Sequence, residues 1–237
     1  MKISVILPSY NEEEIVLENA SRVDDFLSNN YNDYELIIVD DGSIDRTLDI
    51  SEELAKKRKN IRVITYPFNR GKGAAVKAGV LEAEGDCVLF TDCDLAYDPK
   101  YLKELVDKLK DSDIVIGSRY MLDGKKVNRT KYKRKRGIVS KCFIVYTNFM
   151  LKTNQSDIQA GIKGFRREIA KDIFNKLTIF GFGFDVEVLA LAKIQKAKVS
   201  EIPVEVSETR KSSKVRVFRD SVKMFFNVIG VRFRVLI

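Results

Sequence analysis

The chain has 237 residues, of which 45% are hydrophobic, and it carries 42 Lys and Arg against 34 Asp and Glu, a formal net charge of +8. This length and composition suit one large α/β domain or at most two small ones, and they exclude a disordered tail. The sequence contains no histidine, which excludes Ser-His-Asp and Cys-His nucleophilic sites and every His-ligated zinc or haem centre.

Short apolar runs rich in Ile and Val alternate with helical stretches over the first 118 residues. Strands are predicted over residues 3–7, 36–39, 61–66, 87–91 and 114–117. Helices are predicted between them, over residues 13–29, 47–58, 73–83 and 99–110. This alternation predicts an α/β fold with a mostly parallel sheet, covered by helices on both faces, that binds its ligands at the carboxyl ends of the strands.

The alternation stops after residue 118, and a basic segment over 119–136 leads into a predicted helix over 137–152. This helix would have an unusually broad apolar face and a narrow polar strip formed by Ser140, Lys141, Thr147 and Asn148. Such a face suits a helix that lies at a membrane surface. An ordinary core helix or a dimer interface would give the same pattern.

The last third of the chain predicts a loop or strand over 157–165, a helix over 182–192 and an edge strand over 201–206. Polar residues at helical spacing from Arg216 to Arg234 predict a further amphipathic helix. No linker rich in Pro, Gly or Ser divides the chain. We therefore predict one domain over 1–210, including the basic loop and helix over 119–152, followed by a basic amphipathic segment over 211–237.

The positive charge is concentrated in two segments. Residues 119–141 carry a net +9 and residues 208–237 a net +6, so the rest of the chain is acidic. This distribution favours an anionic partner for the two basic segments, although a solvated lysine-rich loop would look the same. Nucleic acid is a less favoured partner, because zinc-finger spacing, RNP-like aromatic motifs and helix-turn-helix patterns are absent from the sequence.

The sequence gives no sign of a targeting or membrane-spanning segment. The apolar run at residues 3–8 is too short for a signal peptide, and no stretch reaches the roughly 18 uncharged apolar residues that span a bilayer. Cys87, Cys93 and Cys142 are too few and too scattered for a disulfide scaffold or a metal site. We expect free thiols in a reducing compartment, in a protein that is soluble or lies on a surface.

Acidic and glycine residues concentrate at the predicted strand ends. Asp92 and Asp94 follow the strand over 87–91 with one residue between them, and two such carboxylates favour a hard cation, Mg²⁺ or Mn²⁺. Acid-x-acid also occurs in plain turns. Asp40-Asp41-Gly42-Ser43 repeats the pattern and also suits helix capping, while the backbone N–H groups of residues 69–73 suggest a weak phosphate-binding loop.

Taken in this order, the motifs resemble family 2 glycosyltransferases with the GT-A fold, and within them the polyprenyl-phosphate (dolichyl-phosphate) glucose and mannose synthases. The resemblance runs from Ile3 to about Val217. It depends on Pro8-Ser9-Tyr10-Asn11-Glu12, Val39-Asp40-Asp41-Gly42-Ser43, Asn69-Arg70-Gly71-Lys72-Gly73, Asp92-Cys93-Asp94, Gly117-Ser118-Arg119, Asp157-Ile158-Gln159-Ala160-Gly161 and Phe184-Asp185-Val186-Glu187. Several of these motifs together are far more specific than any one of them.

The resemblance implies a role for each matching residue. The nucleotide-sugar would be held by Pro8, Tyr10, Glu12, Asp41, Lys72, Asp92, Arg210 and Lys214, with Arg210 and Lys214 clamping the diphosphate. The metal would be bound by Asp92 and Asp94, and Leu95-Ala96-Tyr97 offers no clear further ligand. The acceptor phosphate would be bound by Arg119, Arg136 and Ser140. The sugar or acceptor pocket would be lined by Asp157, Gln159, Asp185 and Glu187. Asp92, Asp94, Arg119 and Arg136 are the implied catalytic residues.

The resemblance implies an inverting, metal-dependent transfer of glucose from UDP-glucose to polyprenyl or dolichyl phosphate. A phosphate monoester is already ionised at neutral pH, so a protein without histidine needs no general base to activate it. Residues 159, 163–165 and 184–187 favour the glucosyl branch modestly. GDP-mannose is the close alternative donor. A soluble sugar acceptor, with Asp185 or Glu187 as base, is more distant, and a basic nucleic-acid-binding module more distant still.

A polyprenyl tail stays in the membrane while its phosphate enters the site. We therefore expect a membrane surface as a partner and a position at the cytoplasmic face, with the helix over 138–152 and the basic C-terminal segment at the interface. Nucleic acid is not an expected partner, and the oligomeric state is left open.

Overall fold

A computed structural model describes residues 1–120, 134–207 and 217–235, with side chains described for 1–120, 142–207 and 224–235. The strands are β1 (Ile3–Ser9), β2 (Tyr34–Asp40), β3 (Ile61–Thr65), β4 (Cys87–Thr91), β5 (Ile114–Ser118), β6 (Ile162–Arg166) and β7 (Val199–Pro203). The helices are α1 (Val16–Asn30), α2 (Thr47–Lys57), α3 (Lys72–Glu82), α4 (Lys100–Lys108), α5 (Arg134–Leu151), α6 (Arg167–Lys176), α7 (Phe184–Ile194) and α8 (Val217–Val235).

The strands form one seven-stranded sheet in the order β3-β2-β1-β4-β6-β5-β7. All neighbouring strands are parallel except β6, which runs antiparallel to both β4 and β5. The prediction of an α/β fold with a mostly parallel sheet is confirmed. The segment over 157–165, predicted as a loop or strand, contains the start of β6, a central strand that separates β4 from β5, and β7 is at the edge, as predicted.

The apolar runs of the strands are continuous because helices cover both faces of the sheet. Side chains alternate between the faces, so Val5, Leu36 and Leu89 belong to a core beneath α1, α2 and α4. Ile37 and Val88 belong to a second core on the other face, beneath α3, α6 and α7. With both faces covered, the polar ends of the strands are the places where the sheet meets solvent.

Two helix predictions need correction. Helix α6 was not predicted, although it buries Ala170, Ile173 and Phe174 on one face, because charged residues interrupt its short apolar pattern. The predicted polar strip of α5 is wrong at Thr147, which is fully buried while Val145 and Phe149 are 69% and 79% exposed, and the side chains of Ser140 and Lys141 lie outside the described residues. Helix α5 therefore presents apolar side chains to solvent and turns a polar one inward.

Helix α8 packs on the same folded unit as α5 and α7. Leu151 of α5, Leu189 of α7 and Val228 of α8 share a third apolar cluster. The Lys193 ammonium donates to the Leu151 carbonyl oxygen at 2.9 Å, and Arg232 donates to the Met150 carbonyl oxygen, so both satisfy the C-terminal end of α5. The predicted division at residue 210 stays a prediction, because it falls outside the described residues.

Among the helices that the structure describes, none combines the length and the hydropathy needed to cross a bilayer. All three cysteines are free thiols, as expected, with Cys87 and Cys93 buried and Cys142 exposed.

Candidate active site

The first wall of the site is formed by the turns that follow β1 and β2. The Asn11 backbone N–H donates to the Ser43 hydroxyl at 2.9 Å, and the Glu12 backbone N–H donates to the Thr47 hydroxyl at 2.7 Å. The Asn11 side-chain oxygen in turn accepts from the Ile44 backbone N–H at 2.9 Å. The structure thus brings the segment from Pro8 to Glu12 together with the segment that follows Asp41. Nucleotide binding by Pro8, Tyr10 and Glu12 stays a prediction.

Asp41 is buried, and its carboxylate is already surrounded by protein donors. It accepts hydrogen bonds from the Tyr66 hydroxyl at 2.5 Å, the Asn69 side-chain amide at 2.8 Å and the Arg70 and Gly71 backbone N–H groups at 2.9 Å each. These bonds fix the turn that precedes α3. Direct binding of the base or ribose by Asp41 stays a prediction, and its observed contacts give it an organising role.

The hypothesis of a phosphate-binding loop over 69–73 is wrong for three of its N–H groups, and the N–H of Ala74, which follows the loop, is also engaged. Those of Arg70 and Gly71 donate to Asp41. Those of Gly73 and Ala74 donate to the Phe180 carbonyl oxygen, at 2.7 and 3.3 Å. A Cβ on Gly71 would lie 2.6 Å from that same oxygen, so the glycine permits this close approach. The start of α3 is therefore capped by the loop before α7.

The centre of the site is Asp92, which follows β4. Its carboxylate forms an ion pair with the ammonium of Lys72, the first residue of α3, and both side chains are largely buried. Burial lowers the pKa of Lys72, but the charges of Asp92 and Asp185 outweigh it and hold the pKa above its usual value. The pairing shows that Asp92 attracts a cation at this position.

The residues present fit a divalent cation with hard ligands. Asp92 supplies carboxylate oxygens at a position that already attracts an ammonium group, and the nearby charge of Asp94 also favours the charged form of Lys72. Within the described ranges, no group of three or more acidic, Cys or His side chains is arranged to hold a metal. Two carboxylates nevertheless suit Mg²⁺, which commonly takes one or two carboxylates and completes its shell with substrate phosphates and water.

Gly161 gives a test of how closely Asp92 is held. A Cβ at this position would lie 1.9 Å from one Asp92 carboxylate oxygen, so Gly161→Ala must displace that side chain. We expect the initial rate of sugar transfer to fall about thirtyfold, because sub-ångström shifts of reacting groups have large kinetic effects. The melting temperature should change little. Gly181→Ala is the matched control, since its Cβ would meet nothing within 4 Å; equal rates for the two variants would contradict the placement of Asp92.

Asp185 lies beside this centre, paired with a lysine that the sequence analysis did not place in the site. Lys163 of β6 is fully buried, and its ammonium lies 2.7 Å from the Asp185 carboxylate and donates to the Ala160 carbonyl oxygen at 2.7 Å. Burial raises the pKa of Asp185, while the charges of Lys163 and Lys72 oppose that rise. A charged residue inside the short apolar strand 162–166 was the available sequence signal for Lys163.

Glu187 does not share these contacts. Its carboxylate accepts from the Thr178 backbone N–H at 2.9 Å, the Thr178 hydroxyl at 2.8 Å and the Ile179 backbone N–H at 2.7 Å. Arg234 of α8 approaches it at 3.5 Å. Glu187 thus holds the loop before α7, and the pocket role predicted for it stays a prediction with no contact to Asp92, Asp185 or Asp157 among those described.

A second charged pair follows β5. The Arg119 guanidinium donates two hydrogen bonds to the Asp157 carboxylate, from Nε at 2.6 Å and from Nη2 at 3.0 Å. The Arg119 backbone N–H donates to the same carboxylate at 3.1 Å. Burial alone would lower the pKa of the Arg119 guanidinium, but the charge of Asp157 outweighs burial and keeps the pKa above its usual value. Asp157 is fully buried, and Glu201 behind it accepts hydrogen bonds from the Ser156 backbone N–H and hydroxyl at 2.8 and 2.9 Å.

The short segment from Asp157 to Gly161 joins the two charged pairs. Asp157 at its start holds Arg119, and Gly161 at its end lies against Asp92. Gln159 between them donates its backbone N–H to Asp157 at 3.1 Å, and its side-chain amide lies 3.5 Å from the Met224 sulfur of α8. This segment therefore connects the Arg119 and Asp92 pairs, with α8 beside it, and the pocket roles predicted for Asp157, Gln159 and Asp185 stay predictions.

Four predicted residues carry no structural evidence. Arg136 and Ser140 lie in α5, but their side chains are outside the described part of the structure, and Arg210 and Lys214 lie outside it altogether. Their roles at the acceptor phosphate and the donor diphosphate stay predictions.

Comparison with known protein families matches residues 4–174 to the model of glycosyl transferase family 2. The chain belongs to this family. It is 34% identical to a dolichyl-phosphate beta-glucosyltransferase of Dictyostelium discoideum, over 99% of this chain and 75% of the relative, and 31% identical to the human enzyme of that name, over 99% and 76%. It is also 36% identical to a dolichol-phosphate mannosyltransferase of Pyrococcus furiosus, over 86% of this chain and 56% of the relative.

Solved structures show the same fold. Glucosyl-3-phosphoglycerate synthase from Mycobacterium tuberculosis, in complex with Mn²⁺, UDP and phosphoglyceric acid, superposes with a TM-score of 0.70 at 20% identity, over 97% of this chain and 76% of that one. Its complex with Mg²⁺ and UDP gives 0.69 at 21% identity, over 97% and 77%. The GT-A fold of this family 2 glycosyltransferase is therefore confirmed. Membership of this enzyme family leaves the nucleic-acid-binding alternative without support.

Proposed function

We propose that this family 2 glycosyltransferase moves glucose, with inversion, from UDP-glucose to the phosphate of a polyprenyl or dolichyl phosphate, with Mg²⁺ or Mn²⁺. One observation carries the proposal: relatives named dolichyl-phosphate beta-glucosyltransferases match nearly the whole chain at 31–34% identity. The charged pairs at the strand ends supply the groups that such a transfer needs.

The donor side of the site centres on β4. Asp92 and Asp94 would hold the divalent cation, which neutralises charge on the departing nucleoside diphosphate. Lys72 lies in the same place and would add its ammonium group to that charge. The turns from Pro8 to Glu12 and around Asp41 would hold the nucleoside. These parts stabilise the negative charge that grows on the leaving group.

The acceptor side centres on Arg119. Asp157 fixes the guanidinium in one orientation and leaves N–H groups of its fork for the acceptor phosphate. That phosphate is already ionised, so its oxygen attacks the anomeric carbon directly while the bond from that carbon to the UDP oxygen breaks. Asp185 is engaged by buried Lys163, and Glu187 by Thr178 and Ile179, which disfavours either as a general base for a soluble acceptor.

The lipid tail would lie against an apolar surface that α5 and α8 form together. This surface carries large exposed side chains, which are Val145, Phe149, Phe225, Phe226 and Phe233. Tyr146 stacks on Phe225 with ring centroids 4.4 Å apart, so the two helices present one continuous patch. Exposed apolar patches of this kind mark interaction surfaces, and here we propose peripheral binding to the cytoplasmic face of a membrane.

The membrane proposal predicts that Phe149→Ser with Phe226→Ser weakens co-sedimentation with anionic liposomes about tenfold, because two apolar side chains no longer enter the lipid interface. Phe68→Ser is the control, as Phe68 is equally exposed but lies in the loop before α3. Undiminished co-sedimentation of the double variant would count against this surface.

Donor and acceptor are tested together. UDP-glucose and GDP-mannose are each supplied with a short polyprenyl phosphate and Mn²⁺, with and without EDTA, and the glycolipid is measured by mass spectrometry. We expect glucosyl transfer that stops in EDTA. Mannosyl transfer would support the alternative that the 36% identical Pyrococcus relative suggests. Transfer at full rate in EDTA would contradict the metal, and transfer only to soluble sugars would contradict the lipid acceptor.

A further inference from the structure

Four charged side chains alternate in sign at the centre of the site. Asp92 pairs with Lys72, and Lys163 pairs with Asp185 at 2.7 Å. Both ammonium groups lie over the Phe90 ring, 5.9 Å from its centroid for Lys72 and 5.5 Å for Lys163. Lys72 also interacts electrostatically with Asp185. Lys72 therefore contacts Asp92 directly and shares the Phe90 ring with Lys163, the partner of Asp185.

The backbone fixes this arrangement from both sides. Lys72 is the first residue of α3 and Asp185 the second of α7, and the two helix starts abut. A Cβ on Gly73 would lie 2.7 Å from the Phe184 Cβ, so no side chain separates them. Asp185 lies in the first turn of α7, where the helix dipole favours a negative charge. Lys72 carries the longest and most flexible side chain of the Lys72, Asp92 and Asp185 group, and it starts from the point where the two helices meet.

The Lys163–Asp185 pair is costly if it serves packing alone. Lys163 is fully buried and Asp185 is 6% exposed, and replacing such a pair by apolar residues often leaves stability unchanged or improves it. What apolar residues would not supply is a fixed carboxylate beside Lys72. The pair thus keeps a negative charge at a defined place in a site where Asp92 is needed for other ligands.

Building on the proposed function, we propose that Asp185, positioned by Lys163, is the second ion-pair partner of Lys72, to which Lys72 turns when a divalent cation engages Asp92. In the free enzyme Lys72 neutralises Asp92. With the cation bound, Asp185 retains Lys72 beside the donor diphosphate instead of releasing it into solvent. Asp185 and Lys163 are positioning residues that set how easily Lys72 leaves Asp92.

The proposal predicts effects of opposite sign on metal binding. Asp185→Asn leaves Lys72 with Asp92 as sole partner and removes a negative charge, so the Kd for Mn²⁺ should rise on the order of tenfold. Lys163→Met frees Asp185 to attract Lys72, so the Kd should fall. The double variant should resemble Asp185→Asn, because Lys163 acts on Lys72 only through Asp185. In the Lys72→Met background, Asp185→Asn should shift the Kd much less than in the wild type.

The measurement is free Mn²⁺ by electron paramagnetic resonance, titrated with full-length protein, with Mn²⁺ alone and with Mn²⁺ plus UDP. Lys103→Met and Asp107→Asn are the charge-matched controls, since this exposed pair makes the same changes in net charge away from the site. Circular dichroism melting shows that each variant is folded, and the double variant, which leaves no unpaired buried charge, serves if a single variant does not fold.

The outcomes separate this inference from the proposed function. Wild-type protein that binds no Mn²⁺ even with UDP overturns the metal role of Asp92 and this inference with it. Wild-type binding with single variants that shift the Kd in the same direction, or no more than the controls, overturns only the exchange of Lys72. Opposite shifts in the single variants, a double variant that resembles Asp185→Asn, and a smaller effect of Asp185→Asn without Lys72 support it.

Discussion

Asp92→Asn should lower kcat for sugar transfer about a thousandfold while leaving the protein folded, because the substitution keeps shape and removes the charge at the centre of the site. The side chain is partly solvent-exposed, and its partner Lys72 has Asp185 nearby, so the substitution leaves no isolated buried charge. The loss should therefore appear in kcat and not in stability. Transfer from UDP-glucose to a short polyprenyl phosphate, measured with circular dichroism melting of the same preparation, tests this.

Asp107→Asn is the matched control. Asp107 also forms ion pairs with lysines, Lys103 at 2.5 Å and Lys110 at 2.9 Å, but it lies on the exposed face of α4. Such surface pairs contribute little to stability, so the control should keep full activity. If Asp92→Asn retained more than about a tenth of the wild-type kcat, Asp92 would not be a catalytic residue. The loss of a catalytic charge in a site that excludes water lowers kcat by much more than about tenfold.

The sequence predicted the first half of the fold well because strands buried on both faces have a strong local signature. β1, β2 and β4 are buried and mostly apolar along their length, and helices with apolar residues on their inner faces lie between them. The place of β6 could not be predicted in this way. Its pairing with β4 and β5 joins residues far apart in the chain, and Lys163 and Arg166 within it favour an exposed segment by composition.

For the candidate site too, the sequence predicted the position of residues along the sheet but not their side-chain contacts. The strand-end topology placed Asp92 and Arg119 correctly at one edge of the sheet, since parallel strands align their carboxyl ends. It could not show that Asp41 is saturated by Tyr66 and the turn after it. Nor could it show Lys163 beneath Asp185. Both facts depend on side-chain contacts across distant segments, for which local sequence carries no period or spacing.

Arg119 gives the second large effect. Arg119→Lys keeps the positive charge but loses the planar fork that Asp157 holds, so kcat/KM for the polyprenyl phosphate should fall about a hundredfold, and Arg119→Ala about a thousandfold. KM for the nucleotide-sugar should change much less, because the proposed donor site lies at the ends of β1, β2 and β4. Steady-state kinetics with each substrate varied in turn separates these effects.

Asp157→Asn tests the same Arg119–Asp157 ion pair by changing its buried carboxylate. It leaves the Arg119 guanidinium without its ionic partner, so the unfolding free energy should fall by about 3 kcal/mol, and the acceptor KM should rise as the fork loses its orientation. Asp24→Asn is the matched control, because Asp24 is a buried partner of Arg58 at 2.7 Å, on α1 and away from the strand ends. Both variants should be less stable, and only Asp157→Asn should change the acceptor KM. Equal acceptor KM values in the two would mean that Asp157 stabilises the fold without orienting Arg119 for the acceptor phosphate.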